Sequence, residues 1–267
     1  MLFFIGSDKM LSSEKIKELL RGELKESNIN IFDEVTSTNT ILKEKGRIEN
    51  EWCTVIASSQ TGGRGRLGRC FYSPENTGVY MSVLLKPDLE IEKAILITTA
   101  AAVAVTKALE TLGCQNAQIK WVNDIFVGNK KVCGILTESV INSERKKLDF
   151  AVLGVGVNLF LPKSGFPDDL KDIAGAVFSK EIPDVKERFV AEFLNEFYKI
   201  YKDLRTASFM DDYRNKCFCI GKEITVISQN EEKNGRAISI DENARLLVEF
   251  GNGKREFLSS GEISIKI

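Results

Sequence analysis

One long segment, 90–112, would be apolar around most of its circumference as a helix, because its centre runs AILITTAAAVAVTKAL before Gly113. A helix without a polar face has to be covered on several sides, which predicts packing against a sheet. β-rich runs precede it at 29–35, 54–58 and 78–85, and consecutive strands separated by tight turns follow it over 117–160. The chain is therefore predicted to have an α+β fold in which helices back a sheet.

Three parts are predicted along the chain. Helices are expected after Ser12 or Ser13, from Ser37 to Gly46, and over 185–204, where Phe189, Phe193 and Phe197 follow helical spacing. From about residue 217 the pattern changes to five short strands broken by turns, which indicates a small β-barrel. We predict an N-terminal helix and linker over 1–28, a main domain over 29–216 and the barrel over 217–267.

Composition excludes several classes of function. The chain has no histidine, so Ser-His-Asp and Cys-His catalysis and histidine-ligated metal sites are ruled out. A net charge of -1 provides no general attraction to nucleic acid or membranes. Six cysteines without a C-x-x-C pair suggest reduced, mostly buried thiols. With no apolar run judged long enough for a membrane span and no signal peptide, we expect a cytoplasmic protein.

The most unusual segment is QTGGRGRLGR at 60–69, which combines four glycines with three arginines and no acid. Glycine lets the backbone approach a ligand and arginine supplies fixed positive charge, so an anionic ligand is one interpretation and a solvated surface loop is the other. The segment contains G-x-G-x-x-G, but a strand rather than a helix follows it, which excludes a dinucleotide fingerprint. A Walker A loop is excluded because no Gly-Lys-Ser/Thr closes the segment.

Three further segments have both a functional and a purely structural interpretation. KWVND at 120–124 with Lys131 could hold polyphosphate and Mg²⁺, or could form an ordinary polar turn. GVGVN at 154–158 places two glycines on one face of a strand, which suits close approach of a ligand or of a packed helix. TSTN at 36–39 could contact a ligand or cap a helix.

Together these segments resemble one family, the biotin protein ligases, also called biotin-[acetyl-CoA-carboxylase] ligases. The resemblance runs in order through DEVTSTN, ASSQTGGRGRLGRCFYSP, KWVNDI, KKVCGIL, GVGVN and SGEISI. It implies a mixed, largely antiparallel sheet backed by helices, of the class II synthetase-like type, followed by an SH3-like barrel. It also implies that biotin and ATP form biotinyl-5′-AMP, and that biotin passes to a lysine of a biotin carboxyl carrier protein domain.

The resemblance also implies roles for individual residues. The expected biotin site comprises Ser37, Thr38, Asn39, Gln60, Gly63, Arg64, Gly134, Leu136, Gly154 and Gly156. The expected nucleotide site comprises Arg66, Arg69, Phe71, Asn123, Asp124, Lys131 and Asn158, with Lys131 and Arg66 catalytic and Asp124 a candidate Mg²⁺ ligand. Two positions depart from the family pattern, since Val122 replaces a proline and Phe71 replaces a frequent tryptophan.

The resemblance leaves two rival functions to be distinguished. A lipoate or octanoyl ligase would share the main fold but ordinarily lacks GRGRLGR. A biotin-sensing DNA-binding regulator would need a helix-turn-helix module, and the roughly thirty residues before the main domain are too few for one. We therefore expect a monofunctional ligase without a nucleic-acid partner, and a homodimer is compatible with the family.

Overall fold

A computed structural model describes residues 11–227, 231–259 and 261–265 of the chain. Its larger sheet has seven strands in the order β1-β2-β3-β7-β6-β5-β4. Only β1 and β2 are parallel, and the other neighbours are antiparallel. The strands are β1 (Ile29–Val35), β2 (Thr54–Gln60), β3 (Gly78–Leu85), β4 (Ala117–Lys120), β5 (Asp124–Val127), β6 (Lys130–Asn142) and β7 (Lys147–Asn158).

Five α-helices accompany this sheet in the described residues, namely α1 (Ser13–Leu19), α2 (Thr38–Lys45), α3 (Ile95–Thr111), α4 (Val185–Lys202) and α5 (Met210–Lys216). The predicted helix at 90–112 is in fact a short 3-10 turn, Ile91–Lys93, followed by α3. α3 is buried over most of its length and packs against α4, α5 and the sheet. The all-round apolar pattern of this segment is thus explained by neighbours on several sides.

The stretch Ile91–Thr111 corrects one statement made from the sequence. By length and composition alone it is apolar enough to cross a membrane, so the expectation that no apolar run reaches that length is wrong. However, 72% of its most apolar part is buried inside the protein, as in the core helix of a globular domain.

Helix α4 shows how the sequence pattern becomes core packing. Phe189, Phe193 and Phe197 recur every four residues and stack with ring centroids 6.3 Å and 5.7 Å apart. All three side chains are fully buried. Burial of a phenylalanine contributes roughly 2 kcal/mol, so this one stripe attaches the helix firmly to α3 and the sheet.

The smaller sheet is antiparallel throughout, in the order β11-β10-β9-β8-β12. Its strands are β8 (Glu223–Ile227), β9 (Glu232–Ile240), β10 (Leu246–Phe250), β11 (Arg255–Leu258) and β12 (Glu262–Ile265). It is joined to the larger sheet near the turn between β4 and β5, where the Trp121 indole N–H donates to the Ala244 carbonyl at 2.9 Å. The C-terminal strands therefore lie beside the KWVND turn.

The predicted fold class is confirmed. The larger sheet is mixed and largely antiparallel with helices behind it, and the five C-terminal strands agree with an SH3-like unit. Residues 1–10 of the predicted N-terminal segment and the last two residues of the predicted terminal strand lie outside the described residues. Among the cysteines, all six are free thiols and only Cys70 is exposed.

Candidate active site

Two adjoining cavities lie where residues 60–69, called the glycine-arginine segment, meet the larger sheet. The smaller, of about 30 Å³, is called the slot, and it is lined by Ser37, Thr38, Asn39, Gln60, Arg64, Phe71, Met81, Gly134, Leu136, Gly154, Val155 and Gly156. The larger, of about 210 Å³, is called the basin, and its lining includes Arg64, Arg66, Arg69, Phe71, Lys120, Asn123, Asp124, Lys131, Gly134, Leu136 and Asn158. They share Arg64, Phe71, Gly134 and Leu136, so the two cavities meet at these four residues.

The slot is polar at its α2 end because a hydrogen-bond chain runs behind it. Gln60 Oε1 accepts from the backbone N–H of Thr38 at 2.9 Å and from its hydroxyl at 3.3 Å. Gln60 Nε2 donates to Ser73 Oγ at 3.0 Å, and Ser73 Oγ donates to the Phe71 carbonyl at 2.9 Å. The start of α2 is thereby connected to the end of the glycine-arginine segment.

Asn39 is held from both ends of its amide. The buried Ser82 hydroxyl on β3 lies 2.5 Å from Asn39 Oδ1, and Asn39 Nδ2 donates to Glu138 Oε2 at 3.1 Å. Ser82 Oγ also lies 2.7 Å from Thr38 Oγ1. Two neighbouring side chains of the slot therefore share one buried hydroxyl beneath them.

Glu138 is the charged member of this network. Burial, the largest single influence, would raise its pKa, but hydrogen bonds from Asn39 and Lys43 and the charge of Arg64 outweigh it. The pKa of Glu138 is therefore lowered from its usual value of 4.5, and the side chain is a carboxylate at neutral pH.

Glycines form the floor of the slot, and the groups that approach the GVGVN strand closely are Asn39 of α2 and the Phe71 ring. A Cβ on Gly154 would lie 2.2 Å from Asn39 Oδ1, and a Cβ on Gly156 would lie 2.7 Å from the Phe71 ring. One on Gly134 of β6 would lie 3.2 Å from the same ring. Since β6 and β7 pair Gly134 with Gly156, the two glycines lie side by side under the ring.

The Phe71 ring therefore lies between the slot and the basin. Its position was expected to be against a nucleotide base, and the structure places it on the boundary of both cavities. The slot volume of 30 Å³ is about that of one water molecule in the liquid. A larger ligand can enter only if the Phe71 ring or the Arg64 side chain moves.

The basin is strongly cationic. Its described lining includes five basic side chains, Arg64, Arg66, Arg69, Lys120 and Lys131, and one acid, Asp124. Such a cluster in a concave site favours a polyanion. Arg66 bridges two parts of the protein, because its guanidinium donates to Asn123 Oδ1 at 3.1 Å and to the Gly261 carbonyl at 3.2 Å. The C-terminal sheet thus contributes to the basin wall, together with Ile263.

Lys131 and Asp124 form an ion pair in the basin, with Nζ 2.7 Å from Oδ1. Asp124 Oδ1 is buried and accepts no well-directed hydrogen bond from the described residues, so the contact is electrostatic rather than a hydrogen bond. No group of three or more potential metal ligands occurs in the described part of the chain. One carboxylate paired with Lys131 fits Mg²⁺ only if the ion enters with a polyphosphate that supplies further oxygen ligands.

The segment after β7 closes one side of the basin. Its backbone pairs with β6, where Lys131 N–H donates to the Ile173 carbonyl and Gly175 N–H to the Lys131 carbonyl, both at 2.8 Å. Asn158 is buried and its amide donates to the Gly175 carbonyl at 3.1 Å. Its amide therefore holds this segment in place at the edge of the basin.

The structure brings together nearly all of the expected site residues. Gly63 is the exception, because it borders neither cavity and packs tightly against the Phe71 carbonyl and Ser73. Sequence reasoning missed Ser82, Ser73 and Glu138, which support the slot from behind. Ser82 was detectable as the one polar residue in the run GVYMSVLL, whereas nothing in the sequence distinguishes Glu138 from other strand carboxylates.

Comparison with known proteins agrees with this geometry. Residues 31–158 match the biotin/lipoate A/B protein ligase family, and residues 219–266 match the biotin protein ligase C terminal domain. The bifunctional ligase/repressor BirA of Bacillus subtilis (strain 168) is 32% identical over 255 residues, which cover 94% of this chain and 78% of that protein. The biotin–[acetyl-CoA-carboxylase] ligase of Mycobacterium tuberculosis is 27% identical, with 85% and 84% covered.

Among solved structures, the biotin protein ligase from Aquifex aeolicus in complex with biotin and ATP is similar to this chain. The two are 25% identical and superpose with a TM-score of 0.70, over 90% of this chain and 98% of that one.

Proposed function

The chain belongs to the biotin protein ligase family, and from that premise we propose that it activates biotin with ATP and transfers it to a carrier protein. The activated acid is biotinyl-5′-AMP, and the acceptor is a lysine of a biotin carboxyl carrier protein domain. The single observation that supports this best is the junction of a small glycine-floored slot with a cationic basin at Arg64, Phe71, Gly134 and Leu136.

The shapes and charges of the two cavities suit the two substrates. The slot offers the amides of Gln60 and Asn39 and the hydroxyl of Thr38, which suit the ureido ring of biotin once the slot opens. The basin offers Arg66, Arg69 and Lys131 to a triphosphate. In this arrangement the acid tail of biotin passes beneath the Phe71 ring and meets the nucleotide at the shared boundary.

The first chemical step joins the two substrates there. A biotin carboxylate oxygen attacks the α-phosphorus of ATP, and the bond from that phosphorus to the bridging oxygen of the β-phosphate breaks as pyrophosphate leaves with the electron pair. Negative charge increases on the phosphoryl oxygens in the transition state, where a preorganised cation is most effective. Lys131 supplies it, and because Asp124 already holds its ammonium in the basin, little reorganisation is needed.

The second step transfers biotin to the acceptor. A neutral lysine amine attacks the carbonyl carbon of the mixed anhydride, AMP leaves with the electron pair, and the nitrogen loses a proton. No enzyme side chain forms a covalent bond in this scheme, which is consistent with a chain that has no histidine and in which Cys70 is the one exposed cysteine. A Mg²⁺ ion carried by ATP would add charge neutralisation near Asp124.

A pyrophosphate exchange assay tests this proposal. Radiolabelled pyrophosphate should enter ATP only when biotin is present with Mg²⁺, and lipoate or octanoate should not replace biotin. Addition of a purified biotin carboxyl carrier domain should then yield one biotin per domain by mass spectrometry. Equal exchange with lipoate would contradict the choice of substrate, and exchange without transfer would contradict the choice of acceptor.

A further inference from the structure

The carboxylate of Glu138 joins two walls of the slot. Glu138 lies on β6 two residues beyond Leu136, and it lines neither cavity. Its Oε2 accepts from Asn39 Nδ2 at 3.1 Å, and its Oε1 lies 3.1 Å from Lys43 Nζ and 3.3 Å from Arg64 Nη1. A single carboxylate therefore contacts α2 twice and the glycine-arginine segment once.

The three charged groups differ in their exposure. The Glu138 side chain is 14% exposed, whereas those of Lys43 and Arg64 are 45% and 47% exposed. The acid is thus the fixed member, set in the central strands of the sheet, and the two cations reach it from the solvent side. A partly desolvated carboxylate holds its partners more firmly than a surface ion pair does.

The first consequence concerns the orientation of Asn39. Its amide oxygen faces the Ser82 hydroxyl, and its amide nitrogen faces the Glu138 carboxylate. A carboxylate can only accept hydrogen bonds, so it requires the NH₂ group on its side of the amide. The orientation of the Asn39 amide is therefore set from behind by Glu138, at 3.1 Å, with a longer contact of 3.4 Å to the Leu136 carbonyl acting in the same direction.

The second consequence concerns Arg64, which lines both cavities. Its neighbours Gly63 and Gly65 have no side chains that could attach the segment to the sheet. The Arg64 backbone pairs with that of Cys70, directly after the segment, in a single antiparallel β-bridge. The ion pair with Glu138 consequently links the first half of this segment directly to β6.

We infer that Glu138 is a positioning residue for biotin, which orients Asn39 and anchors Arg64 at the slot without touching either substrate. This inference rests on the proposed function, since it concerns the biotin end of the same site. Lys43 shares the carboxylate but lines neither cavity, so its role is limited to the charge balance of Glu138.

The test is a kinetic comparison in biotin-dependent pyrophosphate exchange. Glu138→Gln keeps the size of the side chain and removes its charge. We expect the KM for biotin to rise about tenfold or more, because small displacements of orienting groups have large effects, while kcat and the KM for ATP change by less than about threefold. Asp88→Asn is the control, because Asp88 also pairs with two cations, Lys147 and Arg205, but neither of these partners lines a cavity, whereas Arg64 lines both.

A double-mutant cycle separates positioning from general loosening. If Glu138 acts partly through Arg64, the combined Glu138→Gln and Arg64→Gln variant should raise the KM for biotin by less than the product of the two single effects, because only the contribution through Asn39 is independent of Arg64. Strictly additive effects would overturn that part of the inference. A variant that merely loosened the fold would instead lower kcat, raise the KM for ATP and lower the melting temperature together.

The remaining outcomes are also decisive. A wild-type KM for biotin in Glu138→Gln would overturn the inference. If that variant does not fold, Glu138→Asp replaces it, because the shorter carboxylate cannot reach Asn39 and Arg64 together and the same rise in KM is expected. If the unmodified protein shows no biotin-dependent exchange, the proposed function fails, and that result is distinguishable from a failure of this inference.

Discussion

Replacement of Gly154 by alanine should close the slot. The new Cβ would lie 2.2 Å from Asn39 Oδ1 and 3.0 Å from Asn39 Cγ, which is far inside contact distance. Asn39 cannot turn away freely, because Ser82 and Glu138 hold the two ends of its amide. The strand cannot move freely either, since Gly154 pairs with Leu136 and with Ser82 on its two sides.

The magnitude follows from these contacts. Overpacking of a well-packed site costs about 1–3 kcal/mol, and loss of the buried Ser82 to Asn39 hydrogen bond costs about 1 kcal/mol more. The total of about 2–4 kcal/mol divides between the stability of the fold and the affinity for biotin. If half of this free energy weakens biotin binding, the Kd for biotin rises about five- to thirtyfold. If all of it weakens binding, the Kd rises about 30- to 900-fold.

Two measurements on each variant separate these shares. Isothermal titration with biotin reports the affinity, and the unliganded melting temperature reports the stability. Gly235→Ala is the matched control, since its Cβ would lie 2.7 Å from Val248 Cγ1 in the C-terminal sheet, away from the slot. We expect both variants to melt at lower temperature and only Gly154→Ala to lose biotin affinity. Wild-type biotin affinity in Gly154→Ala would refute the assignment of this strand face to biotin.

Four further predictions follow from the site. Lys131→Ala should lower the rate of adenylation by roughly a hundredfold or more. Lys130→Ala is the control and should not lower it, because the Lys130 ammonium contacts the Lys171 carbonyl instead. Single-turnover kinetics would show comparable rates for the two variants if Lys131 took no part in the reaction. Arg66→Gly should release biotinyl-5′-AMP on the order of ten- to a hundredfold faster and so label bystander proteins, and streptavidin blots confined to the carrier would contradict this. The lowered pKa of Glu138 means that its charge stabilises the fold above about pH 4.5 and that this contribution is lost as the pH falls through the folded pKa. The difference in melting temperature between the wild type and Glu138→Gln should therefore be constant above that pH and should narrow below it. A difference that does not depend on pH would exclude this role. The segment 61–69 should gain hydrogen-exchange protection when biotin and ATP are bound, and unchanged protection would exclude its closure over the ligand.

Some features of the site could be predicted from the sequence because they depend on local pattern. The all-apolar helix required covering layers, and the two-residue period of GVGVN placed both glycines on one face of β7. The density of glycine and arginine at 60–69 indicated a flexible, positively charged segment, and left open whether it binds an anion or forms a solvated surface loop. In each case the relevant physics is contained within one segment, so the neighbouring residues along the chain were sufficient.

The supporting contacts could not be predicted, because they join residues far apart along the chain. Glu138 and Asn39 are 99 positions apart, and Arg66 and Gly261 are 195 apart. Periodicity states which face of a strand a side chain occupies, but it does not state which strand or helix will cover that face. The resemblance predicts Phe71 against a nucleotide base, and the pairing of β6 with β7, which periodicity could not specify, places two glycines beneath its ring.

By itself, the sequence determined the types and order of the elements and the α+β class, since these follow from propensity and periodicity, and it marked 60–69 as a flexible, positively charged segment. Only the tertiary structure decided that Ser82 and Glu138 orient Asn39, that Glu138 anchors Arg64, and that the C-terminal sheet reaches the basin through Gly261. The physical reason is that hydrogen bonds and ion pairs act over a few ångströms, and the distances that matter are set by how the layers pack.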